Sequence, residues 1–130
     1  MNTKYGFGKS VNVSFAQAIE RVTQELQKEG FGILTDIDVQ ATLKEKLGED
    51  MQPYRILGSC NPPLAHQALT AEPSVGLLLP CNVVVRQEDT GTVHVEFMDP
   101  QAVLNLVDNP AVHALAEEVR EHLERVLAAL

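Results

Sequence analysis

The stretch VVVRQEDTGTVHVEFM, residues 83–98, leaves the backbone few options. Two runs rich in valine flank EDTG, and Gly91 supplies the positive φ that a three-residue turn with a bulge demands. The pattern predicts a hairpin with strands over residues 75–87 and 92–98. If Glu88 stands opposite Thr92, Val85 meets Val95 and Val83 meets Phe97 on one face. On the other face Arg86 meets His94 and Val84 meets Glu96. One face is apolar and the other mixed. A slip of one residue would turn the apolar set out to water, so the register is specified.

The rest of the chain supplies partners for that hairpin. Residues 4–13 alternate, with Tyr5, Phe7, Val11 and Val13 on one parity and Lys9 as the exception, which predicts a strand with one buried face. Ser14 and Gln17 fit a capping box, and Phe15, Ile19, Val22 and Leu26 make a helical stripe that Gly30 stops. FGILTDID predicts a second strand, with Phe31, Ile33 and Ile37 on one face. Asp38 then caps a short helix carrying Val39, Leu43 and Leu47, closed by Gly48. Residues 54–60 predict a third strand. Asn61 caps and Pro62 starts the short helix NPPLAHQALTA. After the hairpin, Asp99-Pro100 opens a helical turn. Asn109 and Pro110 then start a long last helix with Val112, Ala116, Val119, Leu123 and Val126 buried. Mixed order with a terminal hairpin predicts an α+β fold: an antiparallel sheet, helices packed on one face, and a long C-terminal helix. The whole chain, residues 1–130, reads as one domain.

Composition narrows the function classes. A net charge of −8, with ten basic residues scattered among acids, argues against nucleic acid, which needs clustered Lys and Arg to displace counterions. No apolar run is long enough to cross a bilayer, and MNTKYGFGKS has no signal-peptide core. The expectation is a cytoplasmic protein whose two cysteines are thiols rather than a disulfide. GFGKS ends like a phosphate-binding loop, but the first glycine of that pattern falls on Thr3, and a strand follows where the motif needs a helix. No nucleotide-binding, serine-hydrolase or zinc-protease motif is present, and no cofactor is expected. Metal is not expected either: paired C-x-x-C ligands are absent, and Cys60, Cys81 and a histidine would have to be assembled by the fold. Asp36 and Asp38 are too few oxygen ligands for a cation and read as a strand edge and a helix cap.

The candidate chemistry lies at two corners, LGSCNPP and LLPCNVVV, each with a thiol followed by asparagine. By strand parity Cys60 groups with Tyr54 and Ile56, and Cys81 with Leu79, Val83 and Val85, so both lean toward the core. Buried cysteine is ordinarily a small hydrophobe. Cys60, however, immediately precedes a helix N-terminus, where peptide dipoles favour a thiolate and lower its pKa. The candidate ligand-binding residues are therefore Cys60, Asn61, Cys81 and Asn82. Arg55, with Lys9 the nearest basic residue in sequence, joins them as a possible anchor for an anion.

YRILGSCNPPLA followed by VGLLLPCNVVV and a strand ending in FMDP resembles the DUF 302 family, a bacterial and archaeal group of unknown function. The resemblance spans nearly the whole chain. It implies an α+β fold like that of the TATA-binding protein, a curved antiparallel sheet cradling a long C-terminal helix. It implies no reaction, cofactor or catalytic residue, and places Cys60, Asn61, Pro62, Cys81 and Asn82 on the family's characteristic segments. The leading expectation is a non-enzymatic module, a homodimer paired through the mixed sheet face, that binds a small ligand or a partner protein at the Cys-Asn corners. The alternatives are a thiol-dependent redox, sulfur-transfer or acyl-transfer protein using Cys60, and a structural subunit of a larger assembly.

Overall fold

The computed structural model describes residues 2–130. Its elements follow the order β1 (Gly6–Val11), α1 (Phe15–Lys28), β2 (Gly32–Asp38), α2 (Val39–Leu47), β3 (Tyr54–Cys60), α3 (Pro62–Ala71), a 3-10 turn (Pro73–Leu78), β4 (Cys81–Gln87), β5 (Val93–Met98), α4 (Pro100–Leu104) and α5 (Pro110–Ala128). This is the α+β class expected. The five strands form one antiparallel sheet in the order β1-β5-β4-β3-β2. The β4–β5 hairpin is its centre and has the register read from the sequence, Val83 opposite Phe97 and Val85 opposite Val95. Its turn closes with Glu88 N–H donating to Thr92 O at 2.9 Å, and Gly91 takes φ 89°.

One sheet face is covered by α1 and α5. Val83, Val85, Val95, Phe97 and Leu57 meet Val22 and Leu26 of α1 and Leu123 and Val126 of α5 in a single core. The α5 stripe is the one its spacing predicts. The α1 stripe is rotated slightly: Ala18, Val22 and Leu26 are buried, while Phe15 and Ile19 pack at its margin. The capping box forms as expected, Gln17 N–H donating to Ser14 Oγ and Ser14 N–H to Gln17 Oε1. A second cluster, Ala68, Val75, Leu104, Val112 and Ala116, joins α3, the 3-10 turn and α4 to the start of α5. Asn109 links these parts, capping α5 with its oxygen while its amide donates to Ala71 O at 3.1 Å.

Four local expectations are corrected. Residues 75–80 do not belong to β4, because Pro80 has no N–H for a ladder, and the segment coils into the 3-10 turn, with a cis bond between Leu79 and Pro80. In β2 the pairing shifts between Ile33 and Thr35, so Ile37 turns away from Phe31 and Ile33 and is left exposed. The leucine face of α2 is not buried, and Leu47 is largely exposed. In β3 the core-facing parity belongs to Leu57 and Ser59, opposite Val83 and Cys81, rather than to Tyr54, Ile56 and Cys60.

A pH dependence follows from the ion pairs at the sheet's margins. Hydrogen bonds from His122 and then Arg125 hold the Glu29 carboxyl below its usual range, and Arg55 does the same to Asp36. A carboxyl with a depressed folded pKa contributes stability above its unfolded value and loses it as pH falls through the folded one. Acid titration of the denaturation midpoint is expected to show a fall beginning just below the ordinary Glu value of 4.5, shallower in Glu29→Gln. An unchanged slope in that variant would refute the assignment.

Candidate functional site

Pairing of β3 with β4 sets Ser59 directly opposite Cys81. Ser59 is fully buried and donates its hydroxyl hydrogen to the Cys81 carbonyl at 2.7 Å, tying the end of β3 to the start of β4. Both Cys-Asn corners therefore lie at one end of the sheet. Above them is a half-open cavity of about 320 Å³. Phe31, Ser59 and Cys81 form its sheet side, with Cys60 at the strand end; Leu64, Ala65, Ala68 and Leu69 come from α3, and Leu115 and Val119 from α5. Leu34 and Leu69, both exposed, stand at its margin.

Of the five residues singled out by sequence, the structure brings Cys60, Asn61 and Cys81 to this cavity. Asn82 is turned the other way: it is exposed, opposite Gly58, and borders the open sheet face beside Tyr54, Val84 and Arg86. Alternation along β4 requires this, since Cys81 and Val83 take the core side. Arg55 lies at the far end of β3, its guanidinium gripping Asp36 with Nε at 2.7 Å from Oδ1 and a terminal nitrogen at 2.5 Å from Oδ2. It is spent on that bidentate pair and does not reach the cavity. Lys9 is on β1 at the other edge of the sheet. Among the described residues, no three His, Cys, Asp or Glu side chains converge as a metal site.

The polar groups at the corner are largely occupied. Asn61 caps α3 by accepting from Leu64 N–H at 3.4 Å, and its amide donates to Glu29 O at 3.4 Å, so it serves as a joint between α3 and the end of α1. The thiols do not behave as a helix N-terminus alone would predict. Burial pushes Cys60 up, and burial followed by the neighbouring Cys60 pushes Cys81 up to about 12. Desolvation outweighs the dipole because Pro62 and Pro63 have no N–H to offer a thiolate, Asn61 takes the Leu64 N–H, and the wall is hydrocarbon. Both thiols are protonated at neutral pH.

That state is directly measurable. A shift from 9.0 to about 12 leaves Cys81 with roughly a thousandth of an ordinary cysteine's thiolate. Treated with iodoacetamide at pH 8, native protein is expected to keep Cys81 unmodified while free cysteine is consumed, with Cys60 slower than free cysteine. Both label promptly in denaturant. Rapid native labelling of either thiol would overturn this account.

Sequence reasoning missed Ser59 and the wall of small residues on α3. Ser59 shares a parity with Leu57, but only pairing with β4 turns that set inward. The available sequence signal was Ala65 and Ala68, three apart on one helix, whose small side chains leave the space that becomes the cavity.

The sequence model of the family described as "Domain of unknown function DUF302" matches residues 7–130. A crystal structure of an uncharacterized conserved DUF302 protein from Bacillus stearothermophilus is similar, with 32% identity, 98% of each chain covered and a TM-score of 0.90. No curated protein matches the chain. A family match over nearly the whole length, joined to a fold shared end to end with a family member, identifies the chain as a member of the DUF302 family.

Proposed function

We propose that this protein is a non-enzymatic binding module that takes a small, largely apolar molecule in the cavity beside Cys60 and Cys81. The observation that carries the reading is the wall itself: about 320 Å³ bounded by leucine, alanine and valine side chains with two thiols among them. Ligand sites are concave and mostly apolar, with a few placed polar groups. Binding is favoured over thiol chemistry because burial keeps both sulfurs protonated, the reverse of what a nucleophile needs. The test is mass spectrometry of the protein isolated under native conditions, together with titration of an apolar fluorophore. A co-purifying molecule, or saturable one-to-one binding, supports the module. Neither, in repeated preparations, rejects it.

The working unit in this reading is a homodimer in the cytoplasm, where unpaired cysteines stay reduced. The open sheet face carries Tyr54, Val84 and Met98 beside an Arg86–Glu96 pair at 2.6 Å, so it presents apolar surface with both signs of charge. Under a two-fold axis such a face is complementary to itself. Light scattering is expected to give twice the chain mass, and the monomer for Val84→Glu. A wild-type monomer at micromolar concentration would remove this part of the proposal.

A further inference from the structure

The cavity's wall also restricts what kind of molecule fits. Resting on the binding reading above, we infer that the ligand presents an unbranched alkyl chain of about ten carbons to the cavity and leaves its polar end in solvent beyond Leu34 and Leu69.

Among the described residues no charged side chain lines the cavity, so a charged ligand group inside would be desolvated without a partner. The buried hydrogen-bonding side chains on the wall are committed, Ser59 donating to Cys81 O and Asn61 used at both ends of its amide. The hydroxyl of Thr35 belongs to an exposed residue beside Leu34 at the margin. The two thiols are weak donors that serve chiefly as soft, carbon-like wall. The buried part of the ligand is therefore hydrocarbon. A ring system is disfavoured by the scarcity of aromatic neighbours. Among the described residues Phe31 is the only aromatic side chain on the wall, and it makes an edge contact with His122 at 6.1 Å between ring centres. Flexible leucines against small alanines suit a chain that can turn between them. The length follows from the volume: at about 30 Å³ for a water-sized group, 320 Å³ holds about ten methylenes. The polar end belongs outside, since the margin offers exposed leucines, Leu34 at 66% and Leu69 at 43%, and no charge.

Calorimetric titration of the full chain with straight-chain alcohols and carboxylates of six to fourteen carbons, and with 1-naphthol, tests this. Affinity is expected to rise about threefold to fourfold per added methylene and to level off near ten carbons, alike for alcohols and carboxylates. Ala65→Phe, which fills the cavity from α3, is expected to move the plateau to shorter chains. Leu115→Phe serves the same purpose from α5 if the first variant does not fold. Naphthol binding that either folded variant abolishes, without chain-length dependence, would overturn the alkyl inference and leave the binding site standing. A chain-length series unmoved by a folded cavity-filling variant would place the chain elsewhere and overturn it too. Saturable binding of neither probe class would overturn the inference, and the binding module would then stand or fall on the isolation experiment above.

Discussion

Phe97→Ala is expected to lower the free energy of unfolding by about 3–5 kcal/mol, the range for emptying a buried aromatic site. Phe97 is 1% exposed in β5, opposite Phe7 on one side and Val83 on the other. Its ring stacks on Phe7 with centroids 5.7 Å apart, and Arg120 sits over the far partner, 4.8 Å from the Phe7 ring centre. Truncation removes the ring's contacts with both neighbouring strands, and a rigid sheet at this position collapses little around the space. A domain of this size typically holds about 5–15 kcal/mol, so the loss is a large share of the total. Urea denaturation should show the midpoint falling with the slope unchanged. Leu77→Ala is the control, since Leu77 is 88% exposed and its truncation should stay within about 0.5 kcal/mol. A loss below about 1.5 kcal/mol for Phe97→Ala would mean that the sheet centre repacks in a way its geometry does not predict.

What could be read from the residues depended on how local the cause was. The β4–β5 register and the α5 stripe follow from a turn and a periodicity contained within one or two adjacent elements, and both are found as read. The asparagine and aspartate caps Asp38, Asn61 and Asn109 are equally local and equally legible. The shift at Ile33–Thr35 was invisible because it exists only in the pairing of β2 with β3, and it reassigns every later residue of that strand. The parity of β3 failed for a related reason. Tyr54 and Ile56 look as apolar as Leu57, and only the neighbour β4, with Val83 and Cys81 facing the helices, decides which set turns inward. At the candidate site, the nearness of the two cysteines comes from the long-range pairing of β3 with β4, and the fates of Arg55 and Asn82 depend on partners and faces no window of sequence contains. The lowered thiol pKa expected at Cys60 rests on a helix terminus, which is visible in sequence, whereas the burial that raises it is not.

Gly58→Ala is expected to cost about 1–3 kcal/mol, the usual range for overfilling a packed position, and to do so through the cavity corner. Gly58 has Thr35 and Asn82 as its neighbours across the two flanking strands. A methyl group there would lie 2.2 Å from Thr35 Oγ1 and 2.9 Å from Pro80 Cγ. Thr35 can rotate its side chain away. The Pro80 ring has no such freedom, so the displacement passes to the backbone between Leu79 and Cys81. That backbone carries the Cys81 carbonyl held by Ser59, and with it the sheet side of the cavity. The same substitution at Gly32, which pairs with Cys60 one strand over, meets nothing within 4 Å and should be close to neutral. Denaturation and calorimetric titration with 1-decanol on the two variants separate the outcomes. Gly58→Ala should lose stability and weaken probe binding together, while Gly32→Ala keeps both. If Gly58→Ala were destabilised with probe affinity intact, the strain would be absorbed at Thr35 and the edge strand. The corner at Pro80 would then be uncoupled from the cavity it borders.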